Sequence, residues 1–172
     1  MAIQYSDGSS SAGTASDMGR VVQIKSSYQT STSSTTSSSL TGTGHSCSIT
    51  PHHSSNKVMF IASAGTQNSS AEVGMGITMY RDGTNLDANG DVMRVFWGEE
   101  DSNNIEGTTT LQGLVTTNTT SSTTFEVYFK RYQGGTAKWG MRGAASILLI
   151  EVAGQWLVNM ITMLFIKHIQ ML

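Results

Sequence analysis

Charge is scarce in this chain: Asp, Glu, Lys and Arg make up 13% of its 172 residues, and the net charge is -2. Such a chain offers no basic footprint for a phosphate backbone and no polybasic cluster for anionic lipid, so nucleic acid is excluded as a partner. Cysteine is reduced to Cys47, which rules out a disulfide within the chain. The alternation His45-Ser46-Cys47-Ser48-Ile49 predicts a half-buried strand thiol there. Proline is reduced to Pro51, whose missing N–H would spoil a central ladder and therefore marks a turn. The start, Met1-Ala2-Ile3-Gln4-Tyr5, lacks the basic and apolar stretches of a secretory signal, which predicts a protein kept or assembled in the cytoplasm.

Hydroxyl side chains are present in their place. Ser and Thr fill 46 of 172 positions, a composition that favours strands, turns and neutral hydrogen-bonding surfaces over helices. Proteins or glycans are the expected partners of such a surface. The length suits one domain able to bury a core without staples. Residues 1–19 are Gly, Ser, Ala and Asp around few apolar groups, and predict an N-terminal arm that cannot order itself alone.

From residue 20 to 153 the chain reads as one β-sandwich. Ser48-Ile49-Thr50-Pro51 and Lys57-Val58-Met59-Phe60-Ile61-Ala62-Ser63 predict strand, tight polar turn, strand, with Val58, Phe60 and Ala62 on one face. Val21–Lys25 predicts a first strand, and the Ser/Thr tract 26–39 either extends it as an edge or forms a long surface loop. Val73–Arg81, Val92–Trp97, Thr109–Thr116 and Phe125–Tyr132 follow at sandwich spacing. Met75, Ile77 and Met79 share a face, as do Phe125, Val127 and Phe129, with Glu126, Tyr128 and Lys130 opposite. Asp82-Gly83 and Asn89-Gly90 carry residues suited to positive φ and predict hairpin turns. The run 144–152 is apolar but for Ser146 and Glu151, which predicts a central strand covered on both sides.

After Gly154 the pattern breaks. Residues 155–172 are nearly all apolar, with Gln155, Asn159 and Thr162 forming a narrow polar stripe at helical spacing, and predict a C-terminal helix. Only the 12 residues from Gln155 to Ile166 precede Lys167, short of the roughly 20 that span a bilayer, so burial against other proteins is expected over membrane insertion. Trp156, Leu157, Met160, Met163, Leu164 and Phe165 are the candidate assembly contacts, and a homo-oligomer follows from them.

No catalytic, cofactor or metal site is expected. His45, Cys47, His52 and His53 match no familiar zinc spacing and read as turn histidines beside a structural thiol. Asp87, Asn89 and Asp91 alternate like calcium ligands but lack the closing Glu, and Glu99-Glu100-Asp101 reads as a solvated loop. No Gly-x-Ser-x-Gly elbow or phosphate-binding loop occurs. Tyr128, Tyr132 and Trp139 are the candidate receptor or glycan contacts, since aromatic rings on a rigid sheet can stack on sugars.

Gly19-Arg20-Val21-Val22-Gln23 with its Ser/Thr tract, Ser48–Pro51 with Ser54–Val58, Arg81-Asp82-Gly83-Thr84 and Ala145–Val152 occur in an order that resembles the small β-sandwich structural proteins of tailed phages, of the marine and cyanobacterial type. The likeness covers about residues 19–153. It implies an antiparallel, jelly-roll-like domain on the virion, assembled in the host cytoplasm: a head decoration, a short fibre or a receptor-binding tip, without enzymatic activity. It supplies no fixed functional residues. The chain departs from the pattern in lacking an Asp-x-Pro-Gly type turn between Leu111 and Phe125, and in the apolar segment after Gly154. The rival readings are a tail-borne receptor-binding protein and a glycan-active hydrolase.

Overall fold

The computed structural model describes residues 20–69, 73–98, 105–132, 134–143 and 145–154. The expected arm at 1–19 and the candidate assembly contacts between Trp156 and Phe165 lie outside the described residues. What is described is all-β: β1 (Val21–Gln29), β2 (Ser33–Thr35), β3 (Thr41–Ile49), β4 (Lys57–Asn68), β5 (Val73–Arg81), β6 (Thr84–Asn85), β7 (Arg94–Gly98), β8 (Ile105–Thr116), β9 (Thr123–Arg131), β10 (Ala137–Trp139) and β11 (Ala145–Val152).

The strands form two antiparallel sheets. In the first the order is β1-β11-β4-β8, and the short β10, carrying β2 on its far side, pairs with β4 beyond the end of β11. In the second the order is β3-β9-β5-β7, with β6 pairing the last two residues of β5. Apart from the three short strands, the chain alternates between sheets at nearly every step, and the two four-strand orders are those of a jelly roll.

Period-two patterning drives this arrangement. Val58, Phe60 and Ala62 of β4, Ile147 and Leu149 of β11 and Leu111 of β8 face Met75, Ile77 and Met79 of β5 and Phe125, Val127 and Phe129 of β9, all fully or almost fully buried. The β5–β6 hairpin turns on Asp82 and Gly83 at φ 48° and 80°, the double left-handed pair that a two-residue loop requires. Asp82 is fixed there by donors from the start of β9, the Thr123 hydroxyl and the Thr124 N–H.

The Ser/Thr tract resolves into both of its readings: β1 runs on to Gln29, and a loop follows in which residues 33–35 pair with β10 as β2. The expectation for β11 needs correction. It is central, between β1 and β4, but it is covered on one side only: Ala145, Ile147 and Leu149 are buried while Leu148, Ile150 and Val152 on its other face are partly exposed. Apolar character on both faces of this strand therefore does not reflect two covering layers within the described domain.

Candidate functional site

Three groups of side chains could carry function, and the first turns out to be a structural lock. Glu151, on the inner side of β11, is fully buried and accepts hydrogen bonds from Asn56 Nδ2 (2.6 Å), Gln23 Nε2 (2.7 Å) and the His52 N–H (2.8 Å), with His52 Nδ1 at 3.0 Å. Burial alone would raise its pKa, but the donors from Asn56, His52 and Gln23 outweigh that and pull it down to about 2. A carboxylate so held is a poor proton donor. It ties the Pro51–Asn56 turn and β1 to the last strand, and Asn56 in turn accepts from the Gly154 N–H at 3.1 Å.

The histidines divide accordingly. His52 and His53 lie in the turn, as expected, but His45 is a core residue of β3 and not a turn histidine. Its Nδ1 accepts from Trp139 Nε1 at 3.4 Å, which leaves Nε2 to carry the proton toward the Ser27 carbonyl at 3.4 Å. Desolvation lowers its pKa, against the opposing effect of that carbonyl. Among the described residues no three His, Cys, Asp or Glu side chains converge as metal ligands would.

The same hydrogen bond corrects an expectation about Trp139. Its side chain is 0% exposed in the core, so it offers no ring to a receptor or glycan. The β10 pattern Ala137-Lys138-Trp139 is too short for periodicity to reveal which way it faces.

The second group lies on the outer face of the second sheet. Tyr128 of β9 stacks on Tyr80 of β5 with ring centres 3.9 Å apart and planes 18° from parallel. Lys130, two residues on, pairs with Asp91 at 2.5 Å and sits 4.8 Å from the centre of the Tyr132 ring, which in turn packs over Gly76. The structure thus brings Tyr128 and Tyr132 to one face and adds Tyr80, a partner whose alignment depends on the β5–β9 register. Desolvation, then Glu126 and Tyr80, push the Tyr128 phenol above its ordinary value, which keeps it a neutral hydroxyl able both to donate and to accept.

The third group is the outer face of the first sheet. Cross-strand register sets Ile24, Ile150, Met59 and Leu114 in one row across β1, β11, β4 and β8. On one side of that row lie Leu148 and Ile61, and on the other Val21 and Val152. Ile24, Leu114 and Val21 are 57%, 55% and 52% exposed. The only charge in these rows is Lys57, at the Val21 and Val152 end. Beyond Ser63 and Ser146 the face becomes polar, a groove where Arg142 grips Glu106 (Nε to Oε2, 2.6 Å) and Gln67 donates to Glu106 at 2.6 Å.

All six described carboxylates are engaged: Asp82, Glu106 and Glu151 as above, Asp91 by Lys130, Asp87 by the Asn89 and Asp91 N–H groups, and Glu126 by the Gly44 N–H. Asp87 thus caps its own turn. The acids at 99–101 lie outside the described residues.

No protein-family model and no curated protein matches the sequence. Among solved structures the chain is similar to one in the structure of the infectious bursal disease virus Gx strain, with a TM-score of 0.42 and 11% identity over 81% of this chain and 34% of that one. It spans about a third of that neighbour's length. The jelly-roll assignment rests on strand order and register alone.

Proposed function

We propose that this protein is a non-enzymatic structural component of a tailed-phage virion, carried on the head surface as a knob or short fibre and held there in a homo-oligomer. The observation that carries the reading is the apolar outer face of the first sheet. A contiguous patch of eight apolar side chains, three of them more than half exposed, favours a surface that is covered in an assembly, and the surrounding hydroxyl-rich, weakly charged surface suits neutral packing against neighbours. The jelly-roll order supports the same reading, since this architecture recurs in viral shells, as does the resemblance of residues 19–153 to small phage structural proteins.

Imaging intact particles with this protein labelled tests the proposal. Label in regular array over the head supports it, and label confined to the tail, or absent from particles, refutes it.

The Tyr80 and Tyr128 stack beside Tyr132 favours a second reading, a tail-borne receptor-binding protein that takes a host glycan on this face. Tyr128→Ala with Tyr132→Ala separates the two: host-cell adsorption falls at least tenfold for a receptor-binding protein and is unchanged for a decoration. A glycan-active hydrolase needs a carboxylate free to transfer a proton, and the six described ones are committed to structural partners. The absence of new reducing ends after incubation with host polysaccharide is the expected result.

A further inference from the structure

We propose that the apolar outer face of the first sheet is covered by residues 155–172 of a second copy of this chain. The inference rests on the assembly reading above and names the partner. The occupant is argued from three observations.

The first is chemical. Twelve of residues 155–172 are aliphatic, aromatic or Met, and their only acidic or basic side chains besides His168 come from Lys167. The face offers seven aliphatic side chains, Met59 and one charge, Lys57, at its margin. Neither surface carries an acidic side chain, and their two lysines, Lys57 and Lys167, stand at the edge of the face and near the end of the segment, not at the centre of either.

The second is size. Four strands about 4.8 Å apart and three rows about 6.8 Å apart give a face of roughly 300–500 Å². Packing two such faces directly against each other would bury at most about 1,000 Å², below the roughly 1,200–2,000 Å² of a stable interface. An 18-residue apolar segment laid across each face supplies the difference. Such a segment spans about 27 Å even as a helix, more than the width of the four strands.

The third observation directs the segment away from its own domain. The Ala153 N–H still bonds to the Arg20 carbonyl, which prolongs the β1–β11 pairing past Val152. Gly154 is then buried, its N–H on Asn56 Oδ1, with no room for a side chain against the Ser55 carbonyl. The chain is thus held in line with β11 up to residue 154, at the end of the sandwich. Only Gln155 separates Gly154 from the apolar Trp156-Leu157-Val158, and residues 155–172 contain neither Gly nor Pro. A return over its own sheet would have to reverse within Gln155 and the apolar Trp156-Leu157-Val158, ahead of Asn159, the segment's one strong turn former, whereas continuing outward presents the segment to a neighbour.

A photo-reactive phenylalanine analogue in place of Leu114, in the centre of the face, tests the proposal in the full-length protein. Equal amounts of isotopically heavy and light protein are mixed, subunit exchange is confirmed by native mass spectrometry, and the mixture is irradiated and digested. The expected product joins position 114 to a peptide within 155–172, with heavy-to-light pairs making up about half of it. Cross-links confined to heavy-heavy and light-light pairs would mean that the segment covers its own domain, and cross-links from 114 to a second copy's sheet would mean direct face-to-face packing; either overturns the proposal, as does the absence of any link to 155–172. Ile24→Lys, on the exposed side of the face, gives an independent check. It should keep the β circular-dichroism spectrum and shift the protein at least tenfold toward monomer in light scattering; an unchanged oligomer counts against the proposal. These readouts identify the occupant in purified protein and do not depend on whether the protein is found on particles.

Discussion

The Phe60 ring lies across Gly113, its directly paired neighbour on β8, so closely that a β-carbon on Gly113 would fall 2.7 Å from Phe60 Cε1 and nearer still to Cζ. An aromatic ring laid over a cross-strand glycine fills the space that a missing side chain leaves in a sheet. Gly113→Ala should therefore destabilise the domain by about 1–3 kcal/mol, the cost of overpacking outweighing the usual gain from replacing a strand glycine. Urea unfolding measures this, and a variant as stable as the parent would mean that Phe60 has another rotamer available.

Acid should weaken the fold through Glu151. Its folded pKa of about 2 lies below its ordinary 4.5, so the unfolded chain binds more protons between those values. Stability from this group is complete above about pH 4.5 and is lost as pH falls toward 2, by about 3 kcal/mol in total. Glu151→Gln should lower stability at pH 7 by a similar amount and flatten the dependence in that window, as read by thermal unfolding at a series of pH values.

His45 acts in a milder range. Its pKa is lowered by burial, so the unfolded chain takes up the proton first and stability falls as pH drops below about 6.5. A proton on Nδ1 would also face the Trp139 N–H donor. In an NMR titration the His45 ring should take up its proton at a lower pH in the folded protein than in the unfolded chain, and His45→Phe should remove the part of the stability loss between pH 6.5 and the folded pKa.

Cys47 should be inert in the native state. The thiol is buried among core residues, and desolvation raises its pKa, with Lys25 opposing only in part. Reaction with a disulfide reagent at pH 8 should be at least a hundredfold slower than in urea, where one thiol per chain is released.

The main strands were legible wherever alternation was strong. Phe125, Val127 and Phe129 announce both the strand and its buried face, and Asp82-Gly83 announces its hairpin, because local steric preference and the final fold demand the same thing there. The short strands were not legible. β2 and β10 are three residues each, and they exist because the unpaired edge of β4 beyond β11 needs partners, a requirement set by residues distant in the chain. The far end of β4 was hidden for a related reason: Thr66, Gln67 and Asn68 are polar yet buried, covered by elements that sequence proximity does not reveal. In the candidate sites, Tyr128 and Tyr132 could be read from outward alternation, but Tyr80 joins them only through register. Trp139 misled because aromatic character alone does not say which side of a sheet a residue occupies. Apolar character on both faces of β11 suggests double burial, since Leu148 and Ile150 look the same in sequence whether a covering layer belongs to the domain or not.

The place of β11 between β1 and β4 has a kinetic consequence. Val21 pairs with Val152, so among the described residues the first strand has no neighbour in its sheet until almost the whole domain has left the ribosome. Pairings this distant along the chain are slow to form, and the waiting strands expose unpaired edges meanwhile. Synthesis must reach the final strand before the first sheet can close, so premature termination anywhere before residue 145 leaves β1 and β4 with no strand to join them.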